Sequence, residues 1–467
     1  MNRIMKSMFL SLCAATLLQA AEKPNILFIF SDDQSHETIR ALGHTDIDTP
    51  NLDRLVNRGT TFTHAYNMGS YSAAVCVASR AMLISGRTIW HTNVSEKERK
   101  AGRLWPQRMA TAGYETYFTG KWHIEADAAK TFDHSADIRA GMPTATPEGY
   151  QRPMPGKPDP WSPSDPKFGG FWKGGKHWSE VVGDNSIGFL EQAAKSEKPF
   201  FMYLAFNAPH DPRQSPKEYV DRYPLDRIKL PENFMPEYPQ REMIGAGKGL
   251  RDEKLAPFPR DDHAIKVNRQ EYYAIITHMD AQVGRILDAL EKSGKADNTY
   301  IIFTSDHGLA CGHHGLMGKQ NMYDHSLRVP FIVTGPGVKA GLKIDAPIHL
   351  QDAMATALDL AGAKREDVEF QSLRPLLAGE KGGLDAVYAA YMDLQRAVIH
   401  DGWKLILYPK AKVAKLYHLT EDPQEMKDLA ADPAMAGRTK ALFRKFQDLQ
   451  KQYNDTLNLA KAFPNLN

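Results

Sequence analysis

An α/β architecture is predicted: a large, mostly parallel central sheet sandwiched by helices, followed by a small C-terminal antiparallel sheet with one helix. Three features predict it. Continuous apolar runs recur along the chain, as in Asn25-Ile26-Leu27-Phe28-Ile29-Phe30, and suit strands buried on both faces. Helical periodicity lies between them, so strands alternate with covering helices. Each run also stops abruptly in polar residues, and the C-terminal strand ends of a parallel sheet share one edge.

The first run ends in Ser31-Asp32-Asp33-Gln34. A helix then begins at Thr49-Pro50, with Thr49 as cap, Pro50 in the first turn and Gly59 as stop. The stretch from Cys76 to Arg87 follows, and its apolar residues Val77, Met82, Leu83 and Ile84 before Gly86 fit a short helix with a glycine stop. Cys76 then sits at a helix N-terminus, where free N–H groups favour an anion or a lowered thiol pKa. Glu115 to Phe118 reads as a strand running into Thr119-Gly120-Lys121-Trp122-His123. Pro199 to Phe206 runs into Asn207-Ala208-Pro209-His210-Asp211, and Tyr300 to Thr304 into Ser305-Asp306-His307-Gly308. Ile276, Met279, Val283, Ile286 and Leu290 mark an amphipathic helix before the last of these.

Two tracts break the rhythm. Residues 132–176 are rich in proline, glycine and tryptophan, including Trp161 and Trp172, and residues 212–262 are rich in proline and charge. Loops of this length wall pockets more often than they merely connect elements; the tryptophans serve as core anchors or as sugar-stacking surfaces. Past a lapse at 366–385, Asp401-Gly402 between two apolar runs signals a hairpin, Lys415 to Leu419 a further strand, and Leu442, Phe446, Leu449 and Tyr453 a terminal helix.

Arg3 and Lys6, an apolar run from Met8 to Leu18 and small residues at Ala20 and Ala21 read as an export signal, too short to span a membrane. Leu12 before Cys13 speaks against a lipid anchor, so residues 1–21 are a signal peptide and the product is periplasmic or extracellular. Residues 22–370 are expected to form the main α/β domain and 371–467 a small C-terminal α+β subdomain. No later segment reads as an integral membrane span. A net charge of +2 gives no reason to expect a nucleic-acid partner. Cys76 and Cys311, the two cysteines left after the signal, do not make a disulfide scaffold, although they could form one bridge.

The polar strand ends hold a coherent chemistry. Asp32, Asp33 and Asp306 are hard oxygen ligands, His307 adds a nitrogen, and such a set suits Ca2+ or Mg2+ better than zinc. Arg80, Lys121 and Lys319 are cations that can neutralise a transferring anion, and His123 and His210 can move protons. A metal, several cations and a nucleophile together describe hydrolysis of a sulfate or phosphate ester.

On these motifs the chain resembles a type I sulfatase of the alkaline phosphatase superfamily. Cys76-Val77-Ala78-Ser79-Arg80 with Leu83, Gly86 and Arg87 is the most specific mark. Thr119 to His123, Ser31 to Gln34, Ser305 to Gly308, Gly318-Lys319 and Arg328-Val329-Pro330 follow in family order, and Leu416-Tyr417-His418-Leu419 also fits. The resemblance implies that a maturation enzyme oxidises Cys76 to formylglycine, whose hydrate supplies an oxygen nucleophile. It implies a calcium shell of Asp32, Asp33, Asp306, His307 and modified Cys76. Arg80 then holds the formylglycine, Lys121 and Lys319 grip the sulfate, His123 activates the hydrate and His210 protonates the leaving oxygen. Ala78 stands where many family members have proline, a variant associated with radical-type maturation, which leaves the route of oxidation open.

A sulfated carbohydrate is the expected substrate, with Asp211, Arg213, His313, His314 and Gln320 as candidate sugar contacts. Choline sulfate, a phosphate or phosphonate monoester, and a non-catalytic glycan-binding role with unmodified Cys76 are the alternatives.

Overall fold

The computed structural model describes residues 23–92, 95–143 and 145–466; the segment read as an export signal lies outside them. The central sheet is built from β1 (Asn25–Ser31), β2 (Thr60–Phe62), β3 (Glu115–Lys121), β4 (His134–Arg139), β5 (Phe200–Ala205), β6 (Thr299–Ser305), β7 (Phe331–Thr334) and β8 (Leu342–Ile344). Their spatial order is β8-β2-β7-β6-β1-β5-β3-β4. Five of its seven pairings are parallel, the exceptions being β6 with β7 and β7 with β2. β6, β1, β5 and β3 are contiguous and parallel, so the four polar strand ends emerge side by side on one edge.

Alternation along β1 decides what covers each face. Ile26, Phe28 and Phe30 point into a core with Leu83, Trp105 and Met354, carried by α2 (Val75–Ser85), α3 (Trp105–Thr111) and α6 (Asp352–Leu360). Leu27 and Ile29 point into the opposite core with Leu52, Leu190 and Met279, from α1 (Pro50–Arg58), α4 (Trp178–Ala193) and α5 (Asp262–Lys292). Each fully buried large side chain contributes roughly 1.5–3 kcal/mol of transfer free energy, so a strand that is apolar on both sides is stable only between two helical layers.

The helix at Cys76 has the expected glycine stop, Gly86 at φ 71°. Thr49 precedes α1 as expected, but its hydroxyl bonds Asp53 instead of a helix N–H. The segment Thr119-Gly120-Lys121 continues β3 where a loop was expected; its pairing with β4 skips Asp137 between Thr119 and Gly120. The tract 132–176 holds the edge strand β4, whose alternating exposed residues carry no apolar signal. Trp161 is buried against Phe168 with the Arg152 guanidinium over its ring, which makes it an anchor.

At the C-terminal end, Val387–Tyr391, Gln395–His400, Trp403–Tyr408 and Val413–His418 form an antiparallel sheet. Its hairpin turns at Asp401 and Gly402, φ 52° and 73°, and the helix Ala436–Tyr453 packs against it. The sheet is joined to the main body by Gly69–Ser70, which adds as a parallel strand beside Val387–Tyr391, a few residues before Cys76. A Cβ on Gly69 would lie 1.9 Å from the Ala390 carbonyl oxygen, so this approach requires glycine. Among the described residues no helix is long and apolar enough to cross a membrane.

Candidate active site

β1 ends at Ser31, and Asp33 follows in the left-handed region at φ 70°. The Asp33 N–H donates to Asp306 Oδ1 at 3.0 Å, which locks the turn across the β1–β6 edge. The two adjacent carboxylates therefore diverge. Asp32 pairs with the Lys121 ammonium delivered by β3, whereas Asp33 takes Lys319 Nζ at 2.8 and 3.0 Å and lies 3.1 Å from His307 Nε2.

Cys76 is the second residue of α2, and Arg80 lies one turn further on the same face. Arg80 donates from Nε to Asp306 Oδ2 at 3.2 Å and from Nη1 to the Lys121 carbonyl at 2.8 Å, with its guanidinium over the Phe30 ring. Ser79 Oγ donates to the Asp306 carbonyl at 2.7 Å, pinning the helix to the sheet edge. Cys76 Sγ stands 3.4 Å from His307 Nε2 and 4.0 Å from Asp33 Oδ1, and His123 lies beside it. On the other side, His210 Nδ1 donates to the Asp211 carbonyl at 2.8 Å and its Nε2 faces Lys319 Nζ at 3.0 Å.

Asp32, Cys76, Asp306 and His307 offer ligand atoms that all lie within 4.8 Å of one another, and Asp33, Cys76 and His210 form a second such group. Two local details fit a cation there. Asp32 Oδ1 is buried without a hydrogen bond, and His307 Nδ1 donates to the Gly308 carbonyl at 2.8 Å, which leaves Nε2 free as a ligand. The mainly carboxylate donor set is that of a hard divalent cation.

The electrostatics follow from burying these charges together. Burial and the neighbouring Asp306 push Asp32 well up. Burial also acts to raise Asp306, but His307, Arg80 and Lys121 outweigh it and hold the carboxyl at about 2. Burial opposes charge on His307, yet Asp306 and Asp33 bring it up to about 9. Burial would likewise raise the Cys76 thiol, while Lys121, Lys319 and His307 drive it well below its ordinary value. Cys76 and Cys311 are both free, so the bridge allowed by the sequence does not form.

The candidate sugar contacts are distributed differently. Asp211 is clasped by Arg251, and Gln320 bonds Asp252, both next to the His210–Lys319 pair. Arg213 is buried against Asn268 and Tyr272. His313 bonds Glu37 and Asn233, and His314 stacks on Tyr323 and bonds the Glu425 carbonyl, so both belong to a buried histidine cluster with His325. Sequence reasoning missed Arg251 and Asp252, which lie in a proline-rich tract with no strand end to mark them. It also missed Tyr272, whose hydroxyl donates to the Asp33 carbonyl.

An α/β sheet edge that gathers a buried thiol, a carboxylate-rich cluster able to hold a cation and two buried lysines suits hydrolysis of an anionic ester. The sulfatase family profile matches residues 24–363, and this chain belongs to that family, the type I sulfatases of the alkaline phosphatase superfamily. It is a sulfuric ester hydrolase. A second profile, N-sulphoglucosamine sulphohydrolase, C-terminal, matches residues 312–452. The chain is 26% identical to an N-acetylglucosamine-6-O-sulfatase of Bacteroides thetaiotaomicron over 96% of its own length and 89% of that protein's. It is 28% identical to a choline-sulfatase of Rhizobium meliloti, covering 88% and 83%. A solved structure in complex with its substrate D-glucosamine-2-N,6-O-disulfate shares the fold, with TM-score 0.72, 23% identity and coverage of 93% and 99%.

Proposed function

We propose that this chain is an exported sulfatase that releases sulfate from a sulfated carbohydrate, with Cys76 oxidised to formylglycine and calcium held by Asp32, Asp33, Asp306 and His307. The observation that carries the reading is the arrangement around Cys76 Sγ. His307 Nε2 stands 3.4 Å away, His123 lies beside it, and Lys121 and Lys319 are close enough to hold the thiol's pKa down against burial. Such a thiol is crowded by groups suited to an oxygen nucleophile and an anionic ester. The amino-sugar sulfatase among the relatives, and the glucosamine-type family match over residues 312–452, support a carbohydrate substrate. Residues 22–370 are assigned to catalysis and 371–467 to a small C-terminal α+β subdomain.

A divalent cation held by Asp32, Asp33, Asp306 and His307 would supply charge neutralisation at this edge. Oxidation of Cys76 supplies an aldehyde whose hydrate carries the attacking hydroxyl. Arg80, fixed between Asp306 and the Lys121 carbonyl, holds that side chain in line. Lys121, beside Asp32, and Lys319, beside Asp33, are the cations that offset the charge building on the sulfate oxygens. His123, partly exposed above Cys76, takes the hydroxyl proton, and the His210–Lys319 pair holds a transferable proton between Nε2 and Nζ for the leaving oxygen.

The test is sulfate release by protein matured in a host carrying the oxidising enzyme, across defined sulfated sugars, choline sulfate and a matched pair of aryl sulfate and aryl phosphate. Turnover of a sugar sulfate is expected. Preference for the phosphate, or an intact Cys76 thiol in the protein from such a host, overturns the reading.

A further inference from the structure

A closed ring of alternating charge surrounds the proton-donating side of the site. Lys319 Nζ is 3.0 Å from His210 Nε2, and His210 Nδ1 is 3.2 Å from Asp211 Oδ1. Arg251 grips the Asp211 carboxylate with both arms, Nη1 at 2.6 Å and Nη2 at 2.9 Å, and the same Nη2 donates to Asp252 Oδ1 at 2.9 Å. Asp252 Oδ2 then lies 3.6 Å from Lys319 Nζ and accepts from Gln320 Nε2 at 2.9 Å, which closes the ring. Asp211, Asp252 and Lys319 are buried, while the Arg251 side chain is 29% exposed.

We propose that Arg251 and Asp252 are positioning residues for the leaving-group step, holding His210 and Lys319 in the orientation that delivers a proton to the departing oxygen. The proposal rests on the sulfatase reading of the site. Its physical basis is geometric. Lys319 Nζ hydrogen-bonds Asp33 and His210 and forms a 3.6 Å ion pair with Asp252 Oδ2, so three groups constrain its position. The planar fork of arginine fixes Asp211, whose carboxylate and carbonyl both orient the His210 ring. Without Arg251 the carboxylates of Asp211 and Asp252 are buried without their shared cation and draw His210 and Lys319 toward themselves. Without the Asp252 charge, Lys319 settles on Asp33 alone. Either change moves the donor away from the substrate.

In the step concerned, the bond between sulfur and the ester oxygen breaks as the nucleophile's oxygen bonds to sulfur. The electron pair stays on the departing oxygen, and the proton held between His210 Nε2 and Lys319 Nζ moves onto it. The demand for this proton depends on the leaving group. 4-Nitrophenoxide departs without it, whereas phenoxide is more basic and needs it.

Arg251→Gln and the isosteric Asp252→Asn are compared with the unsubstituted enzyme, all matured, on 4-nitrophenyl sulfate and phenyl sulfate, with metal content and melting temperature measured alongside. The expected result is a fall in kcat of about ten- to hundredfold on phenyl sulfate and less than about threefold on 4-nitrophenyl sulfate. Equal losses on both esters, or no loss on phenyl sulfate in either variant, overturn the proposal. If the unsubstituted matured enzyme hydrolyses neither ester nor any sulfated sugar, the sulfatase reading falls, and the proposal with it.

Discussion

Asp32 and Asp33 are adjacent in the chain, yet each is neutralised by a different lysine: Asp32 by Lys121 from the end of β3, and Asp33 by Lys319 from a loop beyond β6. The left-handed backbone at Asp33 turns its carboxylate away from its neighbour, so two like charges share one strand end without sharing one partner.

This divergence predicts how Lys319→Ala behaves. Removing the ammonium leaves the buried Asp33 carboxylate without its main counter-charge, at a cost of about 3–5 kcal/mol. A bound divalent cation next to Asp33 takes over much of that role. The variant is expected to melt far below the unsubstituted protein in chelator and to recover most of the difference when Ca2+ is added. Equal destabilisation in both conditions would show that Lys319 and the cation act on separate groups.

Metal removal itself has a predicted sign. Asp32, Cys76, Asp306 and His307 converge within 4.8 Å, so loading the site relieves carboxylate repulsion in the folded state. A ligand that binds only the folded chain stabilises it by about 2.7 kcal/mol at a hundred times its Kd. Calcium titration should raise the melting temperature, Asp306→Asn should flatten that response, and a chelator should abolish sulfate release reversibly.

Cys76→Ala is expected to be inactive. A methyl side chain has no heteroatom to oxidise to the aldehyde, so activity should fall by roughly four orders of magnitude or more. The peptide carrying Cys76 should show the aldehyde mass in active preparations alone. Full activity with an intact thiol would show that oxidation is not required.

Gly120 is predicted to tolerate no side chain. Its φ is 99°, and an added Cβ would lie 1.8 Å from the Ala205 carbonyl oxygen at the β3–β5 pairing. Gly120→Ala should cost more than about 2 kcal/mol, seen as a lowered melting temperature, and should displace Lys121 from Asp32.

The pH dependence of stability should show an opposed pair at the start of α6. Burial pushes Asp352 up to about 7, against the opposing N–H bonds from Gln371 and His349, and burial pushes His349 down to about 4. For Asp352 the folded state keeps a proton that the unfolded chain releases near 4, so stability from it falls as pH rises from about 4 to 7. For His349 the unfolded chain takes up a proton that the folded state refuses, so stability from it rises between about 4 and 6.5. The slopes offset each other. Asp352→Asn removes one, and its unfolding free energy relative to the unsubstituted protein should climb across pH 4 to 6.5, by on the order of 3 kcal/mol. A parallel pair of stability curves would refute the assignment.

Much of this protein was legible in its sequence because period and position carried the information. The apolar run of β1 could be satisfied only between two covering layers, and a parallel sheet necessarily brought Asp32, Lys121, His210 and Asp306 to one edge. The order of the motifs around Cys76 identified the family, and Gly86 marked where the helix after Cys76 stops. The edge strand β4 escaped notice because exposed edge residues carry no apolar signature.

What tertiary structure alone decided is which charge meets which. No spacing in the chain reveals that Asp32 and Asp33 diverge, that His313 and His314 enter a buried histidine cluster, or that Arg251 and Asp252 complete a ring with Asp211, His210 and Lys319. Sequence patterns record local conformation and burial. Pairings between side chains hundreds of residues apart depend on where loops fold back over the sheet edge, and there the balance between burial and counter-charge is set by distances of a few ångströms.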